Sequence, residues 1–275
     1  MLQTGSHEFN LGAIEPGERT ALSKILGLLS VTALTLSGYP APAQDLDLQA
    51  LRRALSGPDR EVTDFVRDEV RKPVEVLDFL GIRPGMQVLD VYAAGGYYTF
   101  ILSKAVGING KVFAQNTPRG LRFEEDRQEI SQGEALEAKI RRGNLNNVTH
   151  LVERVEELSI EPESLDAIMV VQTLHDHYNP DPERALQLMT RLNALLKPGG
   201  IIGVIDHIGD AGRDNGGLHR MQKSQAIDIA EQTGFLITGD SDLLRNPNDR
   251  HVRAIFDPRL NRNTDRFLLK VQKPE

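Results

Sequence analysis

The chain has no cysteine among its 275 residues, which excludes disulfides, thiolate metal sites and a lipid anchor on an N-terminal cysteine. It also lacks a basic surplus. Lys and Arg number 32 against 39 Asp and Glu, for a net charge of −7 with both signs interspersed. A nucleic-acid-binding protein would show a basic face or tail, so that partner is not expected. No internal repeat, low-complexity tract or Pro/Ser-rich linker divides the chain. What remains, at 40% hydrophobic and 26% charged residues, suits a folded domain with an adequate core.

The N-terminal stretch reads as a targeting segment rather than as part of the fold. Arg19 and Lys24 precede the apolar run Ile25-Leu26-Gly27-Leu28-Leu29-Ser30-Val31-Thr32-Ala33-Leu34-Thr35-Leu36, and Gly38-Tyr39-Pro40-Ala41-Pro42-Ala43 follows it. A basic start, a short apolar core and an Ala-x-Ala site predict a signal peptide over 1–43, cut after Ala43. The run is shorter than the ~20 residues of a membrane helix, so no stable span is expected after cleavage. The predicted mature chain, 44–275, is one domain exported to the periplasm or beyond.

Within 44–275 strands and helices alternate. Helical spacing covers Asp45 to Leu55, Arg60 to Arg71, a short stretch from Pro73, Tyr97 to Val106, Arg122 to Arg142, Pro182 to Leu196 and His219 to Thr233. Short apolar runs fall at Val88 to Val91, Lys111 to Gln115, Val148 to Val152, Leu165 to Gln172 and Ile201 to Asp206. Phe235 to Thr238 and Arg266 to Gln272 have no helix between them. The expected fold is α/β: a doubly wound, mostly parallel seven-stranded sheet with an antiparallel C-terminal strand pair.

One stretch organises this pattern. Val88-Leu89-Asp90-Val91-Tyr92-Ala93-Ala94-Gly95-Gly96-Tyr97-Tyr98-Thr99 reads as a buried strand, a tight loop of small residues and a helix start. Such loops lie at the carboxyl edge of a parallel sheet, where these sheets bind ligands. A dinucleotide site would need Gly-x-Gly-x-x-Gly here and an acid ~20 residues on; this chain has neither.

Val88-Leu89-Asp90, the Gly95-Gly96 loop, Leu196-Lys197-Pro198-Gly199-Gly200 and the terminal strand pair resemble class I S-adenosylmethionine-dependent methyltransferases, from about Pro73 to Lys273. Arg67-Asp68, Pro73, Leu77-Asp78-Phe79, Pro84-Gly85-Met86 and Gly95-Gly96-Tyr97-Tyr98-Thr99 look closer still to an exported bacterial subgroup of predicted methyltransferases. The resemblance implies S-adenosyl-L-methionine as cofactor. Asp90, Tyr92, Ala94, Gly95 and Gly96 would lie at its methionine end and Asn116 at its ribose. Tyr92 and Ala94 stand where the family's first two loop glycines stand, and Asn116 replaces the ribose-binding acid.

Thr173-Leu174-His175-Asp176-His177-Tyr178-Asn179 follows the fourth strand, and Asp206-His207 ends the fifth. A methyl donor is already activated, so the protein must align the acceptor and take up a proton, which imidazole does well at neutral pH. His175 and His177 are the candidate bases. No residue is assigned to a metal, although His-x-His with a third histidine could hold zinc or copper, and plain capping or hydrogen-bonding roles stay open. The expected function is methyl transfer to a small molecule or envelope component. The alternative is an exported protein that keeps the fold without catalysis, or that binds a metal.

Overall fold

In this computed structural model the described residues are 44–125 and 129–275; the predicted signal peptide lies outside them. Helix α1 (Leu48–Leu55) starts where the Asp47 carboxylate accepts from the Ala50 N–H at 2.9 Å. Helices α2 (Val62–Arg71) and α3 (Pro73–Leu80) are separated by Lys72, whose left-handed backbone breaks the helix before Pro73. Then come β1 (Gln87–Val91), α4 (Tyr97–Val106), β2 (Lys111–Asn116), α5 (Gln132–Arg142), β3 (Val148–Val152) and β4 (Leu165–Val171). The chain continues through α6 (Leu174–Tyr178), α7 (Pro182–Leu195), β5 (Leu196–His207), α8 (Asn215–Leu218), α9 (Lys223–Gln232), β6 (Leu236–Ser241) and β7 (Arg266–Gln272).

The seven strands form one sheet in the order β3-β2-β1-β4-β5-β7-β6. Strands β1 to β5 run parallel, and β7 inserts antiparallel to both β5 and β6. This is the expected fold class. Alternation along the strands divides the core between two faces. Val88, Val112, Ala167, Met169 and Ile205 pack with α1, α3 and α4, whereas Leu89, Val91, Ile168, Val170 and Ile202 pack with α7 and α9. Gly203 on β5 is bare because α3 presses there: a Cβ would stand 2.5 Å from Leu80 Cδ1. Order reverses between β1 and β4, and the carboxyl ends of those strands open a crevice.

Three boundaries differ from the sequence reading. The long helix expected over 122–142 begins only at Gln132. Ser131 and Glu134 form a reciprocal capping box there, and the preceding residues make a 3-10 turn (Gly120–Arg122) and an isolated bridge between Glu124 and Ser131. Strand β5, expected from Ile201, already begins at Leu196, and Lys197-Pro198-Gly199-Gly200 is its irregular start. Gly199, at φ 74°, carries the kink, and its N–H reaches the Lys273 carbonyl at 3.1 Å. The helix expected from His219 begins only at Lys223, because His219 takes a left-handed conformation and closes the preceding α8.

Candidate active site

The loop after β1 is held in a backbone shape that its residues do not favour. Tyr92 and Ala94 adopt φ values of 51° and 50°, the left-handed region that glycine enters at no cost. Each costs of order 1 kcal/mol or more, so neighbouring groups must over-determine them. Gln115 and Asn116, at the end of β2, do this. The Tyr92 N–H donates to Gln115 Oε1 at 2.9 Å, the Ala93 N–H to the Gln115 carbonyl at 2.8 Å, and the Ala94 N–H to Asn116 Oδ1 at 2.9 Å. Asn116 Nδ2 donates back to the Ala94 carbonyl at 3.2 Å. Gln172, after β4, is a third left-handed residue on the same crevice, at φ 57°.

Asp90 closes β1 with its carboxyl buried and accepting from Thr99 Oγ1 at 2.7 Å. Burial pushes its pKa up to about 7. Side chains crowd both loop glycines. A Cβ on Gly95 would stand 2.1 Å from Glu125 Oε2, and Gly96, at φ 81°, faces Leu136 Cδ1.

These groups border a cleft of about 590 Å³, within the range of small-molecule sites. Helix α2 forms one wall. Its buried Asp64 binds Lys139 of α5 at 2.5 Å and also pairs with Arg67. Arg67 in turn reaches Glu125 at 3.3 Å. Arg71 lies over the Tyr97 ring, 4.4 Å from its centroid. Positive and negative groups therefore meet beside the loop, as a zwitterionic amino-acid end would require.

The opposite wall carries the histidines, and α6 sends them different ways. His177 lines the cleft with its ring centroid 5.5 Å from that of Tyr92. Burial and then Arg184 hold its pKa below the usual imidazole value. His175 turns away from that wall into the interior, only 1% exposed. Its Nδ1 lies 2.7 Å from Asp206 Oδ1, and its backbone N–H donates to Asp206 Oδ2 at 2.9 Å. Burial opposes a charge on this ring, but Asp206 and Asp176 outweigh it and raise its pKa to about 10. His207 is buried on Thr264 Oγ1 at 2.7 Å, and burial followed by Arg266 keeps it neutral, its pKa well below the usual value. A His-x-His pair on a helix points to different sides, so His175 and His177 do not converge on one ion.

Comparison with known proteins now bears on this geometry. A family model described as the ubiE/COQ5 methyltransferase family matches residues 61–209, more than half of the chain. The chain belongs to that family. A demethylmenaquinone methyltransferase from Staphylococcus aureus is 33% identical over 127 residues, 46% of this chain and 45% of the relative. The ubiquinone/menaquinone biosynthesis C-methyltransferase UbiE of Idiomarina loihiensis is 27% identical over 168 residues, 60% of this chain and 59% of its own. The chain therefore spans roughly half the length of these relatives. A methyltransferase structure from Aquifex aeolicus superposes with a TM-score of 0.53 at 22% identity, covering 82% of this chain and 98% of its own. The [4+2]-cyclase SpnF also superposes, with a TM-score of 0.53 at 17% identity over 74% of this chain and 80% of its own. The shared fold thus includes a cyclase, and fold alone does not carry methyl transfer.

S-adenosylmethionine is the donor used by this methyltransferase family. The cleft fits it on two counts: a volume of about 590 Å³ and mixed charges beside the loop. Asp90, Tyr92, Ala94, Gly95, Asn116 and His177 line the cleft. Gly96 starts α4 beneath it. His175 is not among the lining residues; its neighbour Asp176 is. The sequence reading missed Arg67, Arg71, Glu125 and Arg184, which line the cleft from elements whose approach to β1 only the topology reveals.

Proposed function

We propose that the protein transfers a methyl group from S-adenosylmethionine to a small-molecule acceptor. The observation that carries this reading is one cleft, at the β1/β4 switch point, shared by the Asp90–Gly96 loop, Asn116 and His177. When bound there, the donor supplies a methyl group on a sulfonium, ready for in-line displacement. Arg67, Arg71 and Glu125 would hold its amino-acid end, and the Asn116 edge would face its ribose. Tyr92 and His177 form the aromatic border on the other side, where a flat acceptor ring can lie. His177 is placed to take the proton released by the acceptor. The relatives' names make a demethylated quinol the first acceptor to test, and an aromatic ring of that kind matches the Tyr92–His177 border.

Calorimetric titration with S-adenosylmethionine and S-adenosylhomocysteine tests the donor, and mass spectrometry of a reaction with demethylmenaquinol tests the transfer. A protein that binds neither compound would overturn the reading. It would favour the second one, a protein that keeps the fold without catalysis. Asn116 speaks for that second reading, since its amide is already engaged by Ala94.

Membership of an exported bacterial subgroup is part of the same proposal. Its subgroup part rests on motifs such as Arg67-Asp68, Pro84-Gly85-Met86 and Gly95-Gly96-Tyr97-Tyr98-Thr99, and export on the basic, apolar and Ala-x-Ala pattern of residues 1–43. Intact-mass analysis of native protein should begin at Gln44, and a mature form retaining Ile25 to Leu36 would rule export with cleavage out.

A further inference from the structure

We infer that His175, Asp176 and His219 form a divalent-cation site of the zinc type at the edge of the cleft. Their ligand atoms, one from each residue, lie within 4.8 Å of one another. Asp176 Oδ1 stands 3.2 Å from His175 Nε2 and 3.2 Å from His219 Nδ1. Zinc binds nitrogen and oxygen ligands at about 2.0–2.2 Å in tetrahedral geometry, which places neighbouring ligand atoms about 3.3 Å apart. Both measured edges match that spacing.

A second observation points to a ligand rather than to an ordinary ion pair. His175 Nε2 is buried with no well-formed hydrogen bond, its near neighbour being Asp176 Oδ1 at 3.2 Å. Its other nitrogen is held by a carboxylate, Asp206 Oδ1, at 2.7 Å. That is the arrangement of metal-bound histidines, in which the distant ring nitrogen donates to a carboxylate and the near one keeps its lone pair for the ion. Asp206 also accepts from the His175 N–H, so ring and backbone are fixed together. His219 is steadied from two sides, with ring centroids 5.0 Å from Phe256 and 5.7 Å from His175.

The charges close as well. Asp176 and Asp206 carry two negative charges beside His175, and a divalent cation that displaces the ring proton at Nε2 balances them. Three protein ligands would leave one tetrahedral position for water or another ligand, as in zinc sites that do chemistry. Asp176 lines the cleft, so the ion would sit between that cleft and the α6–α8 packing. The set differs from the sequence-level suggestion of His175 with His177 and a third histidine: residue 177 points to Tyr92, and His219, 44 positions after His175, stands beside that ring instead.

The test uses the tag-free, chelator-treated full chain and zinc chloride alone, without S-adenosylmethionine, so its outcome is independent of the methyl-transfer reading. Calorimetry and elemental analysis after gel filtration should give one zinc per chain. Asp206→Asn should weaken binding about 10–100-fold while leaving all three ligands in place. His219→Ala, at a partly exposed position, should weaken it further while keeping the zinc-free melting temperature of the wild type. His177→Ala should bind zinc as the wild type does. Substoichiometric zinc in the wild type, or unchanged affinity in a folded His219→Ala chain, would overturn the site.

Discussion

Asn116 grips the peptide groups of Ala94 with both ends of its side-chain amide, accepting from the N–H at 2.9 Å and donating to the carbonyl at 3.2 Å. Only an amide can do both. A carboxylate in its place keeps the first bond but sets a negative oxygen against the Ala94 carbonyl. The family's usual acid and this chain's left-handed Ala94 therefore belong to different ways of building the same loop. Asn116→Asp should lower stability by about 1–2 kcal/mol in urea unfolding, the scale of a hydrogen bond exchanged for an unpaired buried acceptor. The double variant Asn116→Asp/Ala94→Gly should recover part of that loss, since glycine needs less holding at φ 50°. Wild-type stability in Asn116→Asp would show that the loop does not depend on this clasp.

Asp90 gives the fold a pH dependence of defined sign. Burial pushes its carboxyl up to about 7 when folded, against an ordinary value of 3.8. Between those values the folded chain keeps a proton that the unfolded chain has lost, so stability falls as pH rises. Above about 7 both states are ionised and the penalty is constant. The groups facing Asp90 are Thr99, Arg71, Lys139 and Tyr98, and burial outweighs the cations among them. Relative to Asp90→Asn, which cannot ionise, the wild type should lose about 2–3 kcal/mol between pH 5 and pH 8. Urea unfolding of both chains at the two pH values measures the difference, and a constant gap would mean a carboxylate ionised throughout.

The sheet was legible because its strands announce themselves. Val88–Val91 and Leu165–Val171 are apolar runs interrupted only by Asp90 and Asp166, close to what strands buried on both faces require, and the helices between them keep their own period. The late start of α5 was also written in the chain. Ser131 and Glu134 make a capping box, while residues 122–131 carry charge but no apolar stripe. The site was legible only in part. Asp90, Tyr92, Ala94 and Gly95 fall within six consecutive residues, so the motif that names the loop also names its lining. His175, Asp206 and His219 are separated by 31 and 13 positions, and their meeting depends on β4 and β5 being neighbours and on α8 ending at a left-handed residue. No local pattern encodes that.

Buried charge ties α2 to α5 and so fixes one wall of the cleft. Asp64 is fully buried against Lys139, itself 1% exposed, with Arg67 as a second partner. Removing the acid alone takes the close counter-charge from a buried ammonium and leaves it only Glu61, at 3.8 Å. Asp64→Asn should therefore cost about 3–5 kcal/mol. Asp64→Leu/Lys139→Met, which removes both charges and keeps the volume apolar, should lie much closer to the wild type, with Arg67 still facing Glu125. Equal losses in the single and double variants would show that packing, not charge, sets the cost.

His177 separates proton removal from donor binding. Its ring borders the acceptor side with Tyr92, while the loop, Arg67, Arg71 and Asn116 border the donor side. A base acting on the acceptor contributes about 10²–10⁴-fold to rate. His177→Ala should lower kcat by that factor with demethylmenaquinol as the trial acceptor. Affinity for S-adenosylmethionine by calorimetry should stay close to that of the wild type, because no donor contact has been removed. His175→Gln makes the contrast. That ring is buried on Asp206, so its loss should appear first in the melting temperature. If His177→Ala turns over normally, proton removal belongs to another group on that wall. If it instead loses donor affinity with kcat intact, the two sides of the cleft are assigned the wrong way round.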